Sequence, residues 1–274
     1  MDKRIEQVKL VNVSKHFSRS TGDIIAGLHD IDLTINQGEV VGVIGTNGAG
    51  KSTLFNCLTG QLKIDEGEIY LGGDEISRMK PLNIARKIGR VFQDPRMGTA
   101  PRMTVFENLM LALKRGEKRG FSKSLNEVNY QKMIDYLKPF RLDLENRLDV
   151  PIENLSGGQR QTVSLVMATL QAPELLLLDE HTAALDPRTA KQVMAMTQDL
   201  IKKLNLTTLM ITHHLQDALT YSDRIIVMHQ GQISHVYEKE EIPHLTTSDL
   251  FQMIEQLSGI DLVEDVMEET SQIS

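Results

Sequence analysis

Residues 40–53 read VVGVIGTNGAGKST, and few stretches restrict a fold more. VVGVIG carries no polar side chain on either face, the pattern of a strand covered on both sides in a parallel sheet. A glycine-rich turn follows at once. The run STLFNCLTG then reads as a helix ending at Gly60. The turn, Gly45, Thr46, Asn47, Gly48, Ala49, Gly50, Lys51, Ser52 and Thr53, fits the pattern GxxxxGK[ST]. Glycines at 45, 48 and 50 let backbone N–H groups curl around a phosphate with no side chain in the way. A helix starting near Lys51 aims its N-terminus at the same anion. Lys51 brings a point charge for β- and γ-phosphates, and Ser52 a hydroxyl for Mg²⁺.

The rest of the chain supplies matching elements. IEQVKLVNV (5–13) and IDLTI (31–35) alternate as strands do, and GEIYLGG (67–73) and IGRVFQ (88–93) read as strands. After Gln93 the character changes. DPRMGTAPRM reads as a loop, and apolar residues from Thr104 to about Arg141 fall at helical spacing. The basic run KRGEKRGFSK (114–123) between them reads as a solvated connection, and 94–154 as a helical insertion. Alternation resumes near Pro173. LLLLD is a strand, 187–204 a helix, LTTLMIT a strand, HLQDALTYS a short helix, and DRIIVMHQGQISHVY a hairpin turning at Gln230-Gly231. SDLFQMIEQLSG (248–259) reads as a helix capped by its serine and ending near Gly259. The last residues, with five acids and no base, read as a frayed helix or a tail. This order of elements predicts an α/β chain with a mostly parallel sheet flanked by helices.

Composition excludes several classes. Thirty Lys and Arg stand against 37 Asp and Glu, a net charge of −7, which argues against wrapping a nucleic-acid backbone. Cys57 is the only cysteine, so neither an internal disulfide nor a cysteine-rich zinc site is available, as suits a reducing cytoplasm. MDKRIEQVKLVNV mixes charges into its apolar residues and does not read as a signal peptide. No apolar run approaches the roughly 20 residues that cross a bilayer. Any membrane role is then expected to go through a partner.

LLLLDEH (175–181) ends an apolar run on two acids and a histidine. Nucleotide-bound Mg²⁺ needs a carboxylate at the end of a neighbouring buried strand, and Asp179 can serve. Glu180 is aimed elsewhere by strand alternation, where it could polarise an attacking water. The competing reading makes Asp179, Glu180 and His181 ligands of a transition metal, but three consecutive strand residues diverge. LSGGQ (155–159) opens a second helix with Gly-rich, phosphate-seeking character and no lysine.

The P-loop, Gln93 in VFQDP, LSGGQ, LLLLDE, ALD (184–186) and THH (212–214), in that order, resemble the nucleotide-binding subunit of an ATP-binding cassette (ABC) transporter. The resemblance covers about residues 5–240, read as one ATPase domain carrying the inserted helical subdomain of about 94–154. Residues 241–274 stand apart as a C-terminal helix and acidic tail. It implies a P-loop NTPase core with an N-terminal antiparallel β subdomain, and ATP and Mg²⁺ as cofactors. Two subunits would pair head to tail, with Ser156, Gly157, Gly158 and Gln159 on the γ-phosphate of the partner's ATP. Phe17 matches the aromatic that stacks on adenine, Gln93 the residue touching Mg²⁺ and water, and Asp186 the loop crossing the dimer interface. Glu180 matches the general base and His213 the switch histidine that steadies it, with Lys51 on the phosphates and Ser52, Gln93 and Asp179 on the metal. His214 reads as a surface or interface residue.

One departure is plain. Most relatives read DEPT where this chain reads DEHT, so position 181 loses a fixed φ and gains a titratable ring. With both acids intact, no loss of hydrolysis is expected. QDPRMGTAPRMT with DEHTAALDP resembles a bacterial importer subfamily for tryptophan or tyrosine uptake. The implied partners are permease subunits and, through them, an extracytoplasmic binding protein, with no nucleic acid. The implied place is the cytoplasmic face of the membrane. An exporter ATPase, or a soluble cassette protein acting on ribosomes or DNA, is the alternative.

Overall fold

A computed structural model describes residues 5–18, 24–116, 126–138 and 143–271. The strand expected before the P-loop is β3 (Val40–Gly45). It lies inside a six-stranded sheet ordered β10-β9-β3-β8-β7-β6. Its neighbours are β6 (Ile88–Val91), β7 (Leu175–Asp179), β8 (Thr208–Ile211), β9 (Arg224–His229) and β10 (Gln232–Tyr237). Five run parallel; β10 folds back antiparallel on β9. That hairpin turns at Gln230 and Gly231, whose φ of 44° and 78° are what a tight primed turn requires.

A second, antiparallel sheet is built from β1 (Glu6–Ser18), β2 (Ile24–Asn36), β4 (Glu66–Leu71) and β5 (Asp74–Glu75), ordered β2-β1-β4-β5. Val8 and Leu10 point inward while Lys9 points out, as period-two alternation demands. A register shift between Leu10 and Val13 then brings Val13 and Ser14 inward together. This is the antiparallel N-terminal unit the resemblance implied.

The helices are α1 (Lys51–Leu58), α2 (Pro81–Lys87), α3 (Val105–Leu113), α4 (Glu127–Leu137), α5 (Gly157–Thr169), α6 (Pro187–Leu204), α7 (Leu215–Tyr221) and α8 (Thr247–Ser271). The helical spacing read over 104–141 resolves into α3 and α4. Thr104 and Glu107 close a capping box on α3, and Asn126 caps α4. Most of the basic connection, residues 117–123, lies outside the described residues.

Two cores explain the four leucines of β7. Leu175 and Leu177 enter the core shared with α1 and the antiparallel sheet. Leu176 and Leu178 enter the core under α3, α5 and α6. All four are fully buried, at roughly 2 kcal/mol each.

The C-terminus departs from expectation. α8 is capped by Thr246, whose hydroxyl accepts from the Asp249 N–H at 3.3 Å while Asp249 accepts the Thr246 N–H at 2.7 Å, so Ser248 is not the cap. The helix continues through Gly259 to Ser271. A glycine inside a helix costs about 1 kcal/mol but stops it only where the chain turns left-handed, which Gly259 does not. Most of the expected acidic tail is therefore helical; residues 272–274 lie outside the described residues.

The C-terminal ends of β3, β6, β7 and β8 share one edge of the parallel sheet. Val43 pairs with Ile211, Ile211 with Asp179, and Leu178 with Val91. Such an edge is where open α/β sheets bind ligands.

Candidate active site

The loop after β3 demands its first glycine. Gly45 has φ 144°, and a Cβ there would lie 2.0 Å from the Met228 carbonyl oxygen. Gly48, at φ 81°, has nothing within 4 Å of where a Cβ would stand, so the loop's mouth is open. No side chain caps α1, which leaves its first-turn N–H groups for an anion. Lys51 is only 7% exposed. Its ammonium donates to the Gly45 carbonyl at 2.8 Å and the Thr46 carbonyl at 2.6 Å. Burial pushes the Lys51 pKa down, and the nearby Glu180 carboxylate opposes that. Ser52 is exposed at the helix start.

Strand β7 ends on Asp179, and the next residue does not continue it. Glu180 has φ 47°, a left-handed conformation that is uncommon for a residue with a Cβ. Its N–H donates to the Ile211 carbonyl at 3.0 Å, and Ala183 N–H closes a turn on its carbonyl at 2.9 Å. The two acids diverge because the chain turns here, not because strand alternation carries on. Glu180 Oε1 then meets His213 Nε2 at 2.5 Å. Asp179 Oδ2 accepts from Arg90 Nη2 at 2.6 Å.

His181 is not the newly gained titrating ring that its identity suggests. It is 2% exposed, and burial pushes its pKa down to about 4, so it is neutral at physiological pH. Its Nε2 lies 3.1 Å from Thr197 Oγ1 on α6. The Thr197 hydroxyl donates to the Val193 carbonyl at 2.8 Å, so it must accept here, and Nε2 carries the proton. Among the described residues no group of three His, Cys, Asp or Glu could hold a metal ion, which disposes of the 179–181 triad.

Phe17 lies one residue before the end of β1, 39% exposed, with its ring against Gly27. A Cβ at Gly27 would lie 2.3 Å from that ring and 3.3 Å from the Thr53 methyl, so the aromatic stands beside the start of α1. Ser156 and Gln159 close a capping box at the start of α5, each accepting the other's N–H, at 3.3 and 3.1 Å. Gly158 is packed so closely that a Cβ would stand 2.3 Å from Thr189 Cγ2, while Gly157 faces the adjoining cleft. Asp186 caps α6 by accepting the Thr189 N–H at 3.1 Å. His214 is exposed at the start of α7.

Lys51, Asp179, Glu180 and His213 thus come to one sheet edge. From the first turns of α5, Arg160 donates to the Glu153 and Leu155 carbonyls and Gln161 to the Phe92 carbonyl. Gln93 is exposed and lines a cleft of about 550 Å³ with Asp94, Arg96, Glu153 and Arg160. Sequence reasoning passed over Arg90 and Gly27. A charge inside the four-residue buried strand IGRV was the available signal for Arg90; nothing local marked Gly27.

The site's residues suit Mg²⁺ by chemistry. Ser52, Asp179 and Gln93 offer only oxygen for coordination, with one carboxylate, as a magnesium ion carried by phosphates prefers.

Comparison with known proteins agrees with this geometry. The ABC transporter family matches residues 28–183. The chain is 40% identical over 248 residues to a tyrosine transport ATP-binding protein of Clostridioides difficile (strain R20291), covering 90% of this chain and 98% of that one. It is 36% identical over 249 residues to the phosphonates import ATP-binding protein PhnC of Lactococcus lactis subsp. cremoris (strain SK11), covering 86% and 94%. The solved ATP-binding cassette MJ0796, a dimer in a post-hydrolysis state with ADP and Pi, aligns with TM-score 0.73 and 30% identity over 85% of this chain and 98% of that one. A loop shaped for phosphates, a carboxylate held by a histidine beside it, and relatives matched over nearly their whole length leave one conclusion: this chain belongs to the ABC transporter family and is an ATP-hydrolysing cassette coupled to transport.

Proposed function

We propose that this cassette powers a bacterial importer, taking up a small solute of the aromatic amino acid class. The similarity to a tyrosine transport protein supports the solute class, and the similarity to a phosphonates import protein supports the direction. Two copies pair head to tail, each P-loop facing the other copy's Ser156–Gln159. That pairing gives a purpose to two phosphate-seeking helix starts within one chain. No described helix is long and apolar enough to cross a membrane. The cassette sits on the cytoplasmic face against permease subunits, and the helical insertion of about 94–154 forms the groove that receives a permease segment. An extracytoplasmic binding protein delivers solute to the permease.

The observation that carries the chemistry is the 2.5 Å contact between Glu180 and His213 at the edge that also holds Lys51. Glu180 takes a proton from the attacking water as it reaches the γ-phosphate. His213 fixes the carboxylate's direction and contacts the same phosphate. Lys51 exchanges its two carbonyl partners for phosphate oxygens. Phe17 stacks on adenine, Gln93 senses the water, and Asp186 lies at the dimer interface. Mg²⁺, when bound, supplies a hard cation that neutralises phosphate charge, and Ser52, Asp179 and Gln93 would hold it.

Glu180→Gln tests this. The variant is expected to bind ATP, lose turnover and run as an ATP-bound dimer by light scattering. Hydrolysis at the wild-type rate sinks the assignment of the base.

A further inference from the structure

Arg90 is a charged side chain within the parallel sheet, and it holds Asp179 directly. It stands in β6 between Gly89 and Val91, opposite Leu177 of β7. Its side chain is 11% exposed. Nη2 holds Asp179 Oδ2 at 2.6 Å; Nη1 holds Asn56 Oδ1 at 2.7 Å and reaches Gln61 Oε1 at 3.4 Å. The guanidinium lies 4.6 Å from the ring centre of Phe92, the neighbour of Gln93, and 5.8 Å from Phe55 on α1. One planar group therefore ties together the helix after the P-loop, the strand end that carries Asp179 and the strand end that leads to Gln93.

A buried arginine is costly unless its charge is matched. Here Nε is buried with no hydrogen-bond partner among the described residues, while both Nη groups are engaged. A lysine would not serve the same way, because a single ammonium lacks the fork that spans Asn56 and Asp179. Asp179 by itself is a short side chain at a strand end, free to present either oxygen. With Oδ2 engaged by Arg90, only Oδ1 is left to face the phosphate side.

We propose that Arg90 is a positioning residue for magnesium: it clamps Oδ2 of Asp179 to α1 and so presents Oδ1 to the metal's coordination sphere. The proposal rests on the reading of Asp179 as the acid that serves Mg²⁺. Arg90 also weakens the field Asp179 offers a cation. Orientation outweighs that loss, since partners that orient metal-binding carboxylates change metal affinity by roughly 10-fold or more.

The test is equilibrium binding of a fluorescent ATP analogue (mant-ATP) to the purified full chain, first in EDTA and then with rising Mg²⁺. Arg90→Met is expected to raise the half-saturating Mg²⁺ by roughly 10-fold while binding in EDTA stays within about twofold of wild type, the metal being absent there. Arg90→Lys should fall between the two, and it carries the test alone if Arg90→Met does not fold. Asn56→Ala, which removes the other anchor, should shift the Mg²⁺ midpoint in the same direction by less. A purely structural arginine would lower the melting temperature and leave the midpoint where it was. A midpoint unchanged or lowered in the Arg90 variants, with a Mg²⁺-sensitive wild type, overturns this proposal alone. Wild-type binding indifferent to Mg²⁺ overturns the reading of Asp179 and the proposal with it.

Discussion

The bond between His181 and Thr197 predicts a definite coupling. Both side chains are buried, and the Thr197 hydroxyl is donor to Val193 and acceptor from His181. Thr197→Val keeps the shape and strands the imidazole N–H in a dry site. Leaving a buried donor unpaired costs about 2 kcal/mol. His181→Leu removes the ring and leaves Thr197 with its Val193 partner, so the hydrogen-bond loss is nearer to about 1 kcal/mol. The double variant has no stranded donor. It should cost little more than His181→Leu alone, giving a coupling of about 1–2 kcal/mol. Urea unfolding of the four proteins at pH 7 measures this. A single loss of about 2 kcal/mol lowers the melting temperature by roughly 4–8 °C in a chain of this size. ATP turnover per folded molecule should stay within about twofold for Thr197→Val, because backbone and His213 contacts, not His181, hold Glu180. Strictly additive losses would show that the His181–Thr197 bond contributes nothing. A tenfold fall in turnover, about 1.4 kcal/mol of barrier, would show that the ring acts on hydrolysis after all.

Phe17→Ala should weaken ATP binding by roughly fivefold, about 1 kcal/mol of lost stacking, and leave tripolyphosphate binding unchanged; calorimetry giving equal ATP affinity would reduce Phe17 to a packing residue. Gly158→Ala drives a methyl into Thr189 Cγ2 and should cost about 1–3 kcal/mol. Thr189→Ser, which removes that methyl, should restore most of it, and failure of the rescue in urea unfolding would refute the clash. Cys57 is 4% exposed, with its thiol pushed up to about 11 by burial. A water-soluble maleimide at pH 8 should label it only after denaturation, and rapid labelling of the native chain would contradict its packing.

Much of the site was legible because its residues are contiguous in the chain. The P-loop stretch is a strand, a glycine-rich turn and a helix within nineteen residues, and each step has a local cause. The apolar run of β7 and the acids that end it were equally visible, as was the helical character between Gln93 and α5. What stayed hidden depends on neighbours far away in sequence. Two separate cores take alternate leucines of one strand. Asp179 meets an arginine 89 residues before it. Position 181 carries a ring whose type suggests titration and whose burial forbids it. Local pattern also failed at α8, where a glycine and a cluster of acids looked like an ending and the helix ran on.

The sequence alone determined the fold class, the glycine-rich loop between β3 and α1 and the order of the acids and histidine, because periodicity, glycine placement and residue chemistry act over a few residues. Tertiary structure alone decided which groups meet: Glu180 with His213, Asp179 with Arg90, His181 with Thr197. Those pairings exist because the parallel sheet lays four strand ends on one edge and α6 closes over the next turn of chain, and the sheet's strand order, not the sequence order, sets what each end can reach.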